Sequence, residues 1–234
     1  MKELKGVWKI LSLEISRSTL IFWSILLFFL LLGIMFSVFI PFPGVMNWNT
    51  NVPVMIFLII TGARMFKVCL LYGSSFGCTR KNIYIGAVTF LTILSLISAI
   101  VHNVVFSSFS YFLETMEISM FINNVIEFAN IQTNFFIFLL MDFAIFMFFA
   151  SISYILSIIW HQIGTIPLYG ILGVFLLSVL LPTMHPYWRD LGLWIYDASY
   201  LSLVSLLLLC SVILLSFPYF FTKQIKIFSR EKPA

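Results

Sequence analysis

An all-α, polytopic integral membrane protein with six transmembrane helices is the architecture this sequence predicts. Two observations lead there. Hydrophobic residues make up 62% of the 234 positions and charged residues only 9%, whereas soluble domains run near 45–50% apolar and about 25% charged. Too little polar surface is left to cover a water-soluble fold. In addition, uncharged apolar runs recur along the chain at lengths that match a bilayer.

The first run, 20–40, has no charge and as a helix would be about 30 Å long, one hydrocarbon core. It is too long for a cleaved signal sequence, and no small-residue cleavage site follows it. A second span is predicted at 52–70, with Arg64 and Lys67 near its end, where long side chains reach the interface. The uncharged stretch 82–113 holds a third span at 83–106. A fourth, 135–158, carries one acid, Asp142. His161, Gln162, Gly164 and Pro167 then punctuate the chain before a fifth span at 166–184. The sixth, 198–222, has Pro218 near its end.

Orientation follows from the cations. With the N-terminus inside, the inner segments hold Lys2, Lys5, Lys9, Arg17, Arg64, Lys67, Arg80, Lys81, Lys223, Lys226, Arg230 and Lys232, leaving only Arg189 outside among 13 cations. Glu114, Glu117, Glu127, Asp190 and Asp197 fall in outer loops. Both termini are therefore expected in the cytoplasm, and the whole chain forms one transmembrane domain in the cell membrane.

Two segments are not expected to span. In 1–18, Leu4, Val7, Trp8, Leu11 and Ile15 share one helical face, with Lys2, Lys5, Lys9, Ser12 and Ser16 opposite. Such a helix would lie in the membrane plane at the cytoplasmic surface. In the outer loop 107–132, Ile118, Phe121, Ile122, Val125 and Ala129 recur at helical spacing, which predicts a short interfacial or re-entrant helix over 116–130.

Two enzyme signatures are missing from the sequence. No Gly-Lys pair exists, so no P-loop can hold ATP, and H-E-x-x-H does not occur. His102, His161 and His185 lie in different segments without ligand spacing, and Cys69, Cys78 and Cys210 form no C-x-x-C pair, so no metal centre is expected. Glu114 and Glu117 read as a solvated face. Asp142 is the intramembrane polar candidate: a carboxylate inside a span is costly and faces protein or water. It is either a cation or proton position, or a group packed between helices and bonded to a nearby hydroxyl or amide.

The inner connection 71–82 carries the most specific pattern. Tyr72 precedes Gly73 and Gly77, which are expected to break the helix, and Thr79, Arg80, Lys81 and Asn82 follow. A short basic element facing the cytoplasm can meet acidic groups of a partner or anionic lipid headgroups. The stretch Gly77-Cys78-Thr79-Arg80-Lys81-Asn82-Ile83-Tyr84-Ile85-Gly86 resembles the G-x-[ST]-R-K-x-x-[FY]-x-G element of small bacterial ABC transporter permeases of the type-2 exporter class. The six-span layout, the basic N-terminal helix and the missing P-loop are similar to that family too.

The resemblance implies that 71–82 is a coupling element docking on a separate ATPase subunit, through Tyr72, Gly73, Gly77, Thr79, Arg80, Lys81 and Asn82. It implies that 1–18 is the family's connecting helix, with Lys5, Trp8 and Lys9 as a second contact, and that 116–130 is its outer re-entrant region, which in many members lies between the fifth and sixth spans. It further implies pairing with a second permease copy or a sister permease. No cofactor would be bound by this chain, because ATP and Mg sit on the partner ATPase. The cargo would be amphipathic or hydrophobic: a peptide, bacteriocin, toxin or lipid-like molecule. No nucleic-acid partner is expected. The rival expectations are a proton-coupled secondary transporter using Asp142 and a non-transporting membrane assembly protein.

Overall fold

The computed structural model describes residues 2–39, 46–75, 77–118, 120–123 and 134–222. Seven α-helices carry nearly all of them: α1 (Lys2–Phe39), α2 (Asn51–Ser75), α3 (Arg80–Thr115), α4 (Phe135–Ile163), α5 (Thr165–Leu180), α6 (His185–Asp197) and α7 (Tyr200–Thr222). Two four-residue strands, β1 (Met46–Asn49) and β2 (Met120–Asn123), pair in parallel, with Met46 opposite Met120 and Asn49 opposite Asn123.

Five helices, in α1, α2, α3, α4 and α7, are long and apolar enough to cross a membrane. The count reaches six if α5 and the segment that follows it, bent by 78°, form one span. The predicted fifth span at 166–184 therefore needs correction. The helix stops at Leu180, a 3-10 turn occupies Pro182–Met184, and the 13-residue α6 follows, opened by His185-Pro186. Pro186 has no backbone N–H to donate, and it sits in the first turn of α6, where none is needed. Large side chains such as Phe28, Phe36, Ile97 and Val174 stand exposed along these helices, as lipid contact allows.

The amphipathic segment 1–18 is not a separate helix. It continues without a break into the first predicted span, giving one helix of 38 residues, about 57 Å long. No Pro interrupts it, and Gly6 tolerates helix at modest cost. The apolar face read from the sequence is covered by protein instead of lipid. Val7, Leu11 and Ile15 are buried, Val7 against Gly86 of α3, and Trp8 donates to Thr89 Oγ1 at 3.1 Å with its ring edge-on to Phe90.

Other boundaries move as well. α3 runs nine residues past the predicted end at 106, to Thr115. The helix expected over 116–130 is absent at 120–123, which are extended and paired with β1. The ladder pairs one edge of β2, and Met120 and Ile122, which share one face of a strand, are buried. Residues 124–130 of that expectation lie outside the described ones.

Helix packing relies on small residues, as expected where apolar burial gives no driving force between helices. α2 and α4 meet where a Cβ on Gly62 would lie 2.8 Å from the Ala150 carbonyl and 2.3 Å from Ser153 Oγ. One turn away, Ser157 Oγ donates to the Ala63 carbonyl at 2.6 Å. Contacts also fix which ends coincide. Residues 3–8 touch 79–89, and Tyr84 packs on Tyr219 while its hydroxyl donates to the Leu215 carbonyl. The start of α1, the start of α3 and the end of α7 therefore share one end of the bundle, the basic end.

Candidate functional site

The basic end is organised by one acid, Glu3. α3 starts at Arg80 behind Thr79, whose own side chain makes no capping bond. Glu3 Oε2 supplies the cap from another element. It accepts from the Thr79 backbone N–H at 3.1 Å, from Thr79 Oγ1 at 3.2 Å and from Asn82 Nδ2 at 2.7 Å. A carboxylate at a helix N-terminus meets unpaired N–H groups and the positive end of the dipole. It also offsets Arg80 and Lys81, two cations placed where that dipole disfavours them. Cys78 lies beside the same residue, its Sγ 4.0 Å from the Glu3 carbonyl. Partial burial first, and the Glu3 carboxylate second, push its thiol pKa up.

The predicted coupling residues come together only in part. The connection is shorter than 71–82: α2 continues to Ser75 and α3 begins at Arg80. Gly73 lies inside α2 and does not end it, because a single Gly lowers helix stability by only about 1 kcal/mol. Gly77, at φ 67°, is the real break, in a conformation that favours glycine. Thr79, Arg80 and Lys81 are exposed and Asn82 half-buried. Nothing is described of the Tyr72 side chain. Lys5 and Lys9 are exposed, whereas Trp8 is already engaged with α3. Gly86, the last position of the motif, is where Val7 seats: a Cβ there would lie 2.7 Å from Val7 Cγ1.

A second constellation lies near the opposite end, around Asp142, the intramembrane polar candidate. Asp142 of α4 is fully buried and has three hydrogen-bond partners. Asn51 Nδ2 donates to Oδ1 at 2.7 Å, and Asn103 Nδ2 donates to Oδ2 at 2.8 Å. His102 Nδ1 lies 2.7 Å from Oδ2, and His102 Nε2 lies 2.9 Å from Thr50 Oγ1. All five side chains are buried. Local structure explains the convergence. β1 ends at Asn49, whose Oδ1 accepts from the backbone N–H of Asn51 and Val52, capping α2 and turning Thr50 and Asn51 inward. His102 and Asn103 are consecutive on the buried face of α3. The His102 ring is held between Phe106 and Phe146.

Of the three histidines His102 alone belongs to this cluster, and only tertiary packing brings α2, α3 and α4 together around it. A signal existed: His102-Asn103 is a polar pair inside an otherwise apolar 83–106 span. Among the described residues no group of three His, Cys, Asp or Glu could hold a metal ion. Beside Thr50 lies a cavity of about 270 Å³ between α1 and the β1–α2 corner, lined by Phe22, Leu26, Phe29, Trp48, Asn49 and Thr50 among others.

No protein-family model matches this chain, and no curated protein or solved structure matches it significantly.

Proposed function

We propose that this chain is the membrane-spanning subunit of an ATP-driven ABC exporter, one that moves an amphipathic or hydrophobic cargo out of a bacterial cell. The observation that carries the reading is the bonding of Glu3 to Thr79 and Asn82. It joins the basic N-terminal helix and the Arg80–Lys81 turn into one unit at the basic end, and that turn lies inside the stretch resembling the family's coupling element.

In this reading the basic end faces the cytoplasm, the bent α5–α6 segment counts as one crossing, and both termini lie on the cytoplasmic side of the plasma membrane. Two copies, or this chain and a sister permease, form the transport core. ATP and Mg belong to the partner ATPase. Closure of the ATPase dimer pushes on Arg80 and Lys81. Because Gly86 lets Val7 seat against α3 and Trp8 bonds Thr89, α1 and α3 then move together, opening the cavity between protomers outward.

A carrier that cycles a proton on Asp142 is the weaker reading. Asp142 is bonded to Asn51 through one oxygen and to Asn103 and His102 through the other, partners that tie α4 to α2 and α3 and so support a packing role.

The test is co-purification in mild detergent of the chain with an ATPase identified by its own P-loop, comparing wild type with Arg80→Glu/Lys81→Glu. The reading expects a stable complex that the double variant loses at unchanged thermal stability. A well-folded chain that brings down no P-loop ATPase contradicts it.

A further inference from the structure

The seam between α1 and α2 is closed at two levels and open between them. Towards the basic end, Phe22 of α1 stacks on Phe57 of α2 with ring centroids 4.4 Å apart and planes 11° from parallel. Towards the strands, Trp48 of β1 lies over α1, so close that a Cβ on Gly33 would be 3.3 Å from Trp48 Cε2. Between these closures lies the cavity of about 270 Å³. Its α1 wall, from Phe22 to Leu30, runs about 12 Å along the helix.

The lining chooses the chemistry of an occupant. Phe22, Ile25, Leu26, Phe29 and Leu30 recur at helical spacing and present one apolar stripe to the cavity. On the facing wall, Asn49 and Thr50 are the polar residues, and both have their side-chain oxygens engaged elsewhere. Asn49 Oδ1 accepts from the backbone N–H of Asn51 and Val52, and Thr50 Oγ1 lies 2.9 Å from His102 Nε2. Water settles only where it finds several polar partners, whereas an apolar cavity of about 150 Å³ stays dry and takes up benzene. Left empty, such a space deprives its lining of dispersion contacts, so an apolar occupant is favoured.

The mouth identifies the source of that occupant. Ile25 and Phe29 are each 50% exposed, and Pro53 across from them is exposed too. Both α1 residues belong to the uncharged run 20–40, within a helix long and apolar enough to cross a membrane. The cavity therefore opens sideways at bilayer depth, and its α1 wall runs in the direction in which lipid acyl chains lie.

We propose that the α1–α2 seam seats one acyl chain of a bilayer lipid, which enters between Ile25, Phe29 and Pro53 and lies against Leu26 and Leu30. The inference stands independently of the permease reading, because it needs only a bilayer around α1 and α2.

The experiment places the full chain in phosphatidylcholine nanodiscs doped with the same lipid carrying a photoactivatable diazirine in its acyl chain, and maps the adducts by mass spectrometry. Leu26 and Leu30 are buried, so ordinary bilayer contact leaves them unlabelled, whereas a seated chain reaches them. Phe28 and Leu31 share their depth on α1 and are 57% and 54% exposed, no less than Ile25 and Phe29. The expected result is labelling of Leu26 and Leu30, with Ile25 and Phe29 labelled several-fold above Phe28 and Leu31. Leu26→Trp fills the cavity and brings Ile25 and Phe29 down to the level of Phe28, with no adduct on Leu30. Should that variant fail to fold, the wild-type pattern decides by itself. Labelling that simply follows exposure, with none on Leu26 and Leu30, overturns the proposal, as does a folded Leu26→Trp protein labelled like wild type.

Discussion

Glu3 Oε2 lies 2.7 Å from Asn82 Nδ2, so the first turn of α1 is bonded to the first turn of α3. The same oxygen takes the Thr79 backbone N–H, the cap that Thr79 does not provide for itself. Replacing Glu3 by Ala removes all of these bonds at once. Amide exchange of residues 2–9 is expected to rise several-fold, with the rest of α1 unchanged. Protection equal to wild type would mean that Val7 and Trp8 alone hold the segment.

Cys78 reports on the same contact. Its thiol pKa is raised, through burial and through the Glu3 carboxylate, so little thiolate is present at neutral pH. Glu3→Ala removes the nearby negative charge, lowers that pKa and increases the thiolate fraction. Maleimide modification of Cys78, mapped by mass spectrometry near pH 7, is expected to speed up several-fold. A slower or equal rate would contradict the assigned role of Glu3.

The pair His102–Asp142 is buried on both sides. Removing one partner of such a pair leaves the other stranded, typically at about 3–5 kcal/mol. His102→Leu and Asp142→Leu should each lower unfolding stability in detergent by about that much, and the double variant should lose clearly less than the sum. Additive losses would mean that the two side chains are not coupled. Under the ATP-driven reading, Asp142→Asn lowers transport only in proportion to the folded protein recovered.

Glycine substitutions should rank by what a Cβ would meet. At Gly62 it would lie 2.8 Å from the backbone carbonyl of Ala150, which cannot yield without moving α4, whereas at Gly86 it meets the end of the Val7 side chain. Gly62→Ala is therefore expected to cost about 1–3 kcal/mol, more than Gly86→Ala. At Gly170 and Gly173 nothing lies within 4 Å, so Ala there should be neutral or stabilising by up to about 1 kcal/mol. Thermal unfolding of the four variants in one detergent checks the order.

Five membrane-length helices were legible because uncharged runs of bilayer length leave little choice of structure. The face of α1 was also legible, as Val7, Leu11 and Ile15 recur at helical spacing, but not what covers it. Periodicity reports an apolar face and is silent on whether lipid or another helix meets it. The same limit applies at Met120 and Ile122, where an i, i+2 pair inside a helix-like pattern became a strand because β1 was available to pair. Gly73 and Gly77 looked equivalent in sequence, yet only Gly77 adopts positive φ. The cluster of Thr50, Asn51, His102, Asn103 and Asp142 draws on three helices, so no spacing along the chain could reveal it, and Glu3 was hidden for the same reason.

The proposed docking of the Arg80–Lys81 turn on an ATPase can be trapped directly. The most direct measurement places a photo-crosslinking amino acid at position 81 in intact cells and identifies the captured protein by mass spectrometry, with the same probe at Leu201 on the opposite end as control. The account predicts an adduct at position 81 with a protein containing a P-loop, and none from Leu201. Capture of lipid alone at position 81, or the same adducts from both positions, would contradict it.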